Sequence, residues 1–279
     1  MALGMNESTS AARPLCLVTG ANTGIGFEIA RGLARTGARV VLACRNHAKG
    51  EAARSIIASE FKNTNTELLV VDLASQQSIR AATREFSEKY DSLDVLVNNA
   101  ATSSPTRQVS PEGIELTFAT NVLGYHLLTA LLLESLKRAP AARIVNLASM
   151  MAYGLDPSDI QFAKRPYNGA TAYAQSKQAN RILTWALARR LAGTTATANA
   201  MSPGAVDTPL LHAMAPGIAG RSPAQGADTA IWLATSSELS GVNGRFYTDR
   251  HEHPCEFRDS ATEDALWSLC DRLCGISAR

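Results

Sequence analysis

No long run of lysine or arginine interrupts this chain of 279 residues, and its 27 basic and 25 acidic side chains leave a formal net charge of only +2. So balanced a chain offers nothing to nucleic acid or to an acidic membrane surface, and neither is expected as a partner. The stretch 1–13 is polar and rich in small residues and lacks the apolar core of a signal peptide, so it is expected to be a flexible N-terminal segment. The longest near-apolar stretch, Val122 to Leu133, is too short to cross a bilayer and carries Tyr125, His126 and Thr129. Lipidation signals are missing at both ends: Ala2 stands where myristoylation needs glycine, and Cys274 is too far from the terminus for prenylation. No membrane anchor is therefore expected. The cysteines number five, an odd count without a close pair of metal-type spacing, which suits a reducing, cytoplasmic setting. His251, His253 and Cys255 alternate as strand-borne metal ligands would, but Pro254 interrupts them and a fourth ligand is lacking, so no metal is expected.

What is present is a rhythm. From Pro14 onward, short β-branched runs alternate with longer helical patterns. The expected strands are 15–19, 39–43, 67–71, 95–98, 143–147, 197–201 and 245–247, most of them continuously apolar as in parallel strands buried on both faces. The longest helical patterns are 115–138 and 170–191. This repetition predicts an α/β fold, a Rossmann-type doubly wound parallel sheet of about seven strands with helices on both faces, forming one domain over 14–279. Two segments break the rhythm, 150–169 and 207–222. Both are rich in Pro and Gly yet carry Met151, Tyr153, Phe162, Leu210 and Ile218, and both follow strands at the carboxyl edge where open sheets bind ligands. They are candidate walls of a substrate pocket, with partly ordered surface loops as the plainer alternative.

The first strand runs into Thr19, Gly20, Ala21, Asn22, Thr23, Gly24, Ile25 and Gly26, and an amphipathic helix follows. Glycines at 20, 24 and 26 let the backbone turn tightly and let a pyrophosphate approach the helix N-terminus, where free N–H groups favour anions. The second strand ends at Ala43-Cys44-Arg45-Asn46, and no acid appears before Glu51. A ribose 2′-hydroxyl is commonly held by an acid at this point and a 2′-phosphate by a cation, so Arg45 favours NADP(H) over NAD(H). Asp72-Leu73 closes the third strand and is placed to meet adenine, unless Asp72 simply caps the next helix. Asn98, Asn99, Ala100 and Ala101 close the fourth, where small residues permit close approach of a ring or ribose.

Tyr173 and Lys177 stand at i and i+4 of a helical pattern and share a face. A neighbouring cation favours the phenolate and is expected to lower the tyrosine pKa from about 10 toward a usable range. Ser149 ends the fifth strand and Asn121 lies in the helix after the fourth. Singly each has a bland reading, a strand cap or a polar group in a helix interior. Jointly with the tyrosine–lysine pair they form a candidate catalytic set.

These stretches, together with Ser202-Pro203-Gly204-Ala205-Val206-Asp207-Thr208, resemble the short-chain dehydrogenase/reductase family over nearly the whole chain from Pro14 to Ile276. Locally, Ala43–Asn46, Phe118–Gly124 and Tyr167-Asn168 ahead of Ala172-Tyr173 are most similar to its retinol dehydrogenase-like branch, which favours NADP(H). The resemblance implies Tyr173 as general acid/base, Ser149 orienting the reacting oxygen, Lys177 holding the nicotinamide ribose, and Asn121 holding a water that links Lys177 to solvent. It further implies cofactor contacts from Pro203, Gly204, Val206 and Thr208, and pairing into a homodimer through the two long helices, with Leu127, Leu131, Trp185 and Leu187 supplying apolar surface. There are departures: Ala101 replaces the family's glycine, and Ser149 lies 24 residues before Tyr173, so 150–169 contains an insertion that folds across those helices in the alternative, monomeric case. The expected function is NADP(H)-dependent interconversion of a ketone or aldehyde and its alcohol on a lipophilic small molecule. A non-catalytic NADP(H)-binding regulatory module is the competing class, and four intact catalytic positions weigh against it. A sugar-nucleotide epimerase or dehydratase would need a larger C-terminal domain than the residues after Pro209 provide.

Overall fold

The computed structural model describes residues 13–62 and 65–277. The flexible segment expected at 1–13 thus falls, Arg13 excepted, outside the described residues. Continuously buried runs become strands in register: β1 (Leu15–Thr19) pairs in parallel with β2 (Arg39–Cys44) on one side and β4 (Val95–Asn98) on the other. β3 (Thr66–Val70) lies beyond β2, and β5 (Arg143–Leu147), β6 (Thr197–Ser202) and β7 (Phe246–Thr248) continue beyond β4. β8 (His251–Glu252) adds an antiparallel edge, giving the order β3-β2-β1-β4-β5-β6-β7-β8. Among the described residues the sheet thus has the seven or so parallel strands expected, with the two-residue β8 as an added antiparallel edge.

Helices α1 (Gly24–Arg35), α2 (His47–Phe61), α3 (Gln76–Lys89), α4 (Leu116–Phe118), α5 (Gly124–Arg138), α6 (Gly169–Arg190), α7 (Pro209–Met214), α8 (Pro223–Thr235) and α9 (Ser260–Cys274) complete the layers. Most carry a local reason for their start. Asn46, Ser75, Asn168 and Asp259 accept from the third residue beyond them, and Ser222 with Gln225 closes a capping box ahead of Pro223. α7 forms inside the segment read from sequence as a loop, with Thr208 as cap and Pro209 at its first turn. Two separate cores, one on each sheet face, absorb the apolar side chains: Leu17, Leu96 and Ile144 point to one, Val18, Val97 and Val145 to the other.

α4, a π-helical turn (Ala119–Leu123) and α5 run as one continuous helix, Leu116–Arg138. By length and composition it would suffice to cross a membrane, being longer than the apolar stretch visible in sequence, but 72% of its most apolar window is buried inside the protein. The four-helix pairing expected from α5 and α6 meets a covered face. Leu127, Trp185 and Leu187 are buried in the protomer's own interior, and only Leu131 keeps 36% exposure. α9 lies across these helices, with Asp271 2.7 Å from His126 Nε2, the His126 and Trp267 rings 4.6 Å apart, and Arg189 Nε donating to Glu263 at 2.7 Å. Light scattering at several concentrations is expected to return a steady mass near the 29.7 kDa of one chain. A mass twice that would place a dimer contact on some other face.

Candidate active site

β1 and β4 are neighbours in the sheet although β2 and β3 come between them in the chain, so their carboxyl ends form the switch point where such sheets open a crevice. A cleft of ≈ 370 Å³ lies there, lined by Gly20, Asn22–Gly26, Arg45, Asp72, Leu73, Asn99–Thr102, Leu116, Thr120 and Thr208–Leu210. Its floor is stitched from both strand ends: Thr19 Oγ1 accepts from Asn99 N at 2.8 Å and Ala100 N at 3.1 Å, and Asn99 Nδ2 donates to Thr19 O at 2.8 Å. Gly26 has no alternative here, because a Cβ would stand 2.3 Å from both Gly20 O and Asn99 Nδ2. Gly20 holds a left-handed backbone at φ 66. Thr23, at the N-cap of α1, makes no side-chain cap bond, and the first turn contains no acid, which leaves that helix end ready for an anion. Arg45 is exposed at the rim, and among the described residues its guanidinium has no partner. This cradle fits the pyrophosphate and ribose of a dinucleotide.

The four candidate catalytic residues do not line that cleft; they stand beside it, at the end of β5 and on the helices facing it. Asn121 lies in the π-helical turn, a feature common at functional sites. Its Oδ1 accepts from Thr102 N at 2.8 Å, while Nδ2 donates at 3.0 Å both to Thr102 O and to Ser176 Oγ. The side chain thereby joins the cleft wall to α6. Both protons of its amide nitrogen are taken up by these partners, while Oδ1 keeps a second acceptor site.

Tyr173 and Lys177 leave α6 toward Ser149. The Tyr173 phenol has the Ser149 hydroxyl as a neighbour that favours its ionised form, and Ser149 Oγ accepts from Met151 N at 3.0 Å. Lys177 is fully buried, donates from Nζ to Leu147 O at 2.7 Å, and lies 5.6 Å from the Tyr173 ring centre and 5.7 Å from that of Tyr125. Burial pushes the Lys177 pKa down to about 7. Burial likewise pushes Tyr173 up to about 12, with the Ser149 hydroxyl pulling the other way. This is opposite in direction to the lowering expected from the i,i+4 spacing, because desolvation of the buried phenol is the larger influence. The arrangement keeps the phenol protonated at physiological pH, as a proton donor requires.

Other expected contacts are redistributed. Asn46 caps α2, accepting from Lys49 N at 2.9 Å. Asp72 Oδ1 accepts from Ala74 N, and Ser75 rather than Asp72 caps α3. Val206 is buried beneath Ile25 and Gly226, and Pro203 and Gly204 lie outside the cleft lining, Gly204 packing on Arg221. Thr102, Leu116, Thr120 and Pro209 line the cleft without having been singled out, and Leu210, an expected pocket-wall residue, joins them. Thr102 directly follows the Asn98–Ala101 stretch, and Pro209 directly follows Thr208, so adjacency was their available signal.

The family model for short chain dehydrogenases matches residues 14–218. The chain belongs to that family. Among curated relatives of this short-chain dehydrogenase, retinol dehydrogenase 12 of Mus musculus is 39% identical over 274 residues, spanning 93% of this chain and 86% of the relative. Retinol dehydrogenase 13 of Homo sapiens is 36% identical, spanning 94% and 85%. These place the chain in the retinol dehydrogenase-like branch. Among solved structures, an uncharacterized protein from Mycobacterium paratuberculosis superposes with a TM-score of 0.79 at 30% identity, covering 95% of each chain. An NAD(P)-dependent gluconate 5-dehydrogenase from Beutenbergia cavernae, solved with NADP, superposes at 0.71 with 28% identity, covering 85% of this chain and 95% of that one. The family's nicotinamide cofactor and carbonyl–alcohol interconversion are thereby shared by this short-chain dehydrogenase.

Proposed function

We propose that the protein is an NADP(H)-dependent reductase of a lipophilic ketone or aldehyde, with Tyr173 as proton donor. The observation that carries this reading is the meeting of Tyr173, Ser149 and Lys177 at the end of β5, one strand away from a cleft whose rim presents Arg45. NADPH, when bound, supplies the hydride for the carbonyl carbon. Tyr173 donates its phenolic proton to the carbonyl oxygen as charge develops there, and Ser149 Oγ gives that oxygen a hydrogen bond and fixes its direction. Lys177, in its cationic form, stabilises the phenolate that remains. Asn121 keeps α6 in register with the cofactor wall through Thr102. The apolar side chains Met150, Met151, Tyr153 and Ile218 are exposed on the two segments following β5 and β6, which supports a lipophilic substrate. Retinol stands in the names of its relatives and enters the test, together with its aldehyde, as a candidate. All five cysteines are free thiols, in keeping with a cytoplasmic setting.

A panel of all-trans-retinal, aliphatic and aromatic aldehydes, ketones and diketones with NADPH, and the matching alcohols with NADP, tests the reading by nicotinamide absorbance. Turnover of at least one apolar carbonyl is expected, and none across the panel would refute the catalytic reading.

Cofactor choice rests on Arg45. An exposed guanidinium without a partner suits a 2′-phosphate, and the fold itself accepts either cofactor, since a 27%-identical reductase from Brucella melitensis was solved with NADH. NADPH is expected to bind more tightly than NADH. Arg45→Ala should weaken NADPH alone by about 1.5–3 kcal/mol, roughly tenfold to 150-fold. Fluorescence titration of both cofactors against both proteins checks this, and equal affinities in the unsubstituted protein would overturn it.

A further inference from the structure

We propose that Arg181 is a positioning residue of this site: its guanidinium holds the Ser149 peptide and so sets the hydroxyl that meets Tyr173. The proposal rests on the catalytic reading of Ser149 and Tyr173 above. Tyr173, Lys177 and Arg181 follow at four-residue intervals along α6, so their side chains leave one face of the helix. All three close on the end of β5. Tyr173 meets the Ser149 hydroxyl, Lys177 Nζ holds Leu147 O, and Arg181 Nη2 donates to Ser149 O and lies 3.7 Å from Met150 Sδ. Two carbonyls, one on either side of Ala148, are thus pinned by the helix that carries the proton donor.

The sheet does not reach far enough to do this. The β5–β6 register ends at Leu147 opposite Met201, with a last bond from Ala148 N to Met201 O. Beyond it, Met150 N donates to Ser202 Oγ at 3.1 Å, which steadies the next peptide but not the Ser149 carbonyl. Arg181 reaches that carbonyl from a packed bed. It is 4% exposed, and its guanidinium lies 3.7 Å from the Phe246 ring centre and 5.7 Å from that of Phe257. Stability alone does not account for an arginine here. Among the described residues its Nε has no partner, and its charge is desolvated, two features that an apolar side chain among these rings would avoid. What the guanidinium adds over an apolar side chain is a rigid donor aimed at one carbonyl.

The test is a double-mutant cycle on kcat, using whichever carbonyl of the panel turns over fastest, with amide hydrogen exchange of segment 148–152 as a readout independent of turnover. Ser149→Ala should lower kcat about 10²–10³-fold. Arg181→Met should lower it about 10–100-fold, with the Kd for NADPH unchanged and faster exchange at the Met150 and Met151 amides. The Ser149→Ala/Arg181→Met double variant should be no slower than Ser149→Ala alone, because a residue acting through Ser149 has nothing left to position. Arg181→Lys, which keeps a donor and the charge, should recover most of the rate, and Arg181→Gln, which loses the charge and the reach to Ser149 O, serves the same cycle if Arg181→Met does not fold. Additive losses, or unchanged kcat and exchange in Arg181→Met, would overturn the proposal. An unaffected Ser149→Ala variant would instead remove the catalytic reading beneath it.

Discussion

Tyr173→Phe is expected to reduce turnover about 10²–10⁴-fold while the protein folds and binds NADPH as before. Phenylalanine occupies nearly the same volume, so the packing of α6 against β5 is preserved and only the hydroxyl is lost. That hydroxyl, beside Ser149, is the group proposed to carry the transferred proton. Because burial holds it near 12, it stays protonated across pH 6–10, and the carbonyl-reduction rate of the unsubstituted enzyme should show no fall from Tyr173 ionisation in that range. The reverse reaction, which needs the phenolate, should accelerate with rising pH. Single-turnover kinetics with NADPH, together with a cofactor titration, separates the two parts of the claim. Near-full turnover with intact NADPH affinity in Tyr173→Phe would mean that another group donates the proton.

The parts of the site legible in the sequence are those built by chain-local rules. The glycine turn after a buried strand and the i,i+4 pair on α6 need only backbone geometry to be understood, and both lie where those rules put them. What depends on distant packing was not legible. Nothing in the sequence marks Arg181, and it is the return of Phe246 and Phe257 from much later in the chain that covers it. The Tyr173 pKa was expected to fall because spacing shows the cation but not the enclosure, and the enclosure dominates. β8 escaped notice for a different reason. Its strand has two exposed residues, and the preceding hairpin turn places Asp249 and Arg250, not glycines, at φ 51 and 61. α7 is the opposite case: Thr208-Pro209 is a legible helix start, outweighed in the reading by the Pro and Gly content around it.

Lys177→Met is expected to lower turnover by about 10²–10³-fold and, in the same protein without cofactor, to raise stability. The two effects have one cause. A fully buried ammonium is stable there only at a cost, which is why its pKa falls from 10.5 to about 7. The sign follows from proton uptake. Between pH 7 and 10.5 the unfolded chain keeps Lys177 protonated while the folded protein increasingly does not, so unfolding binds a proton and stability rises with pH across that window. The penalty is therefore largest at and below pH 7 and fades toward pH 10.5, at a limiting slope of about 1.4 kcal/mol per pH unit. Methionine removes the charge and fills similar space, forfeiting only the hydrogen bond to Leu147 O, which is worth about 1 kcal/mol. Chemical denaturation of both proteins at pH 7, 8 and 9 should show the variant more stable at pH 7, with its advantage shrinking at each step. A constant difference, or a variant less stable at pH 7, would show that Lys177 is held charged by a partner and that its role in the proton chemistry must be redrawn.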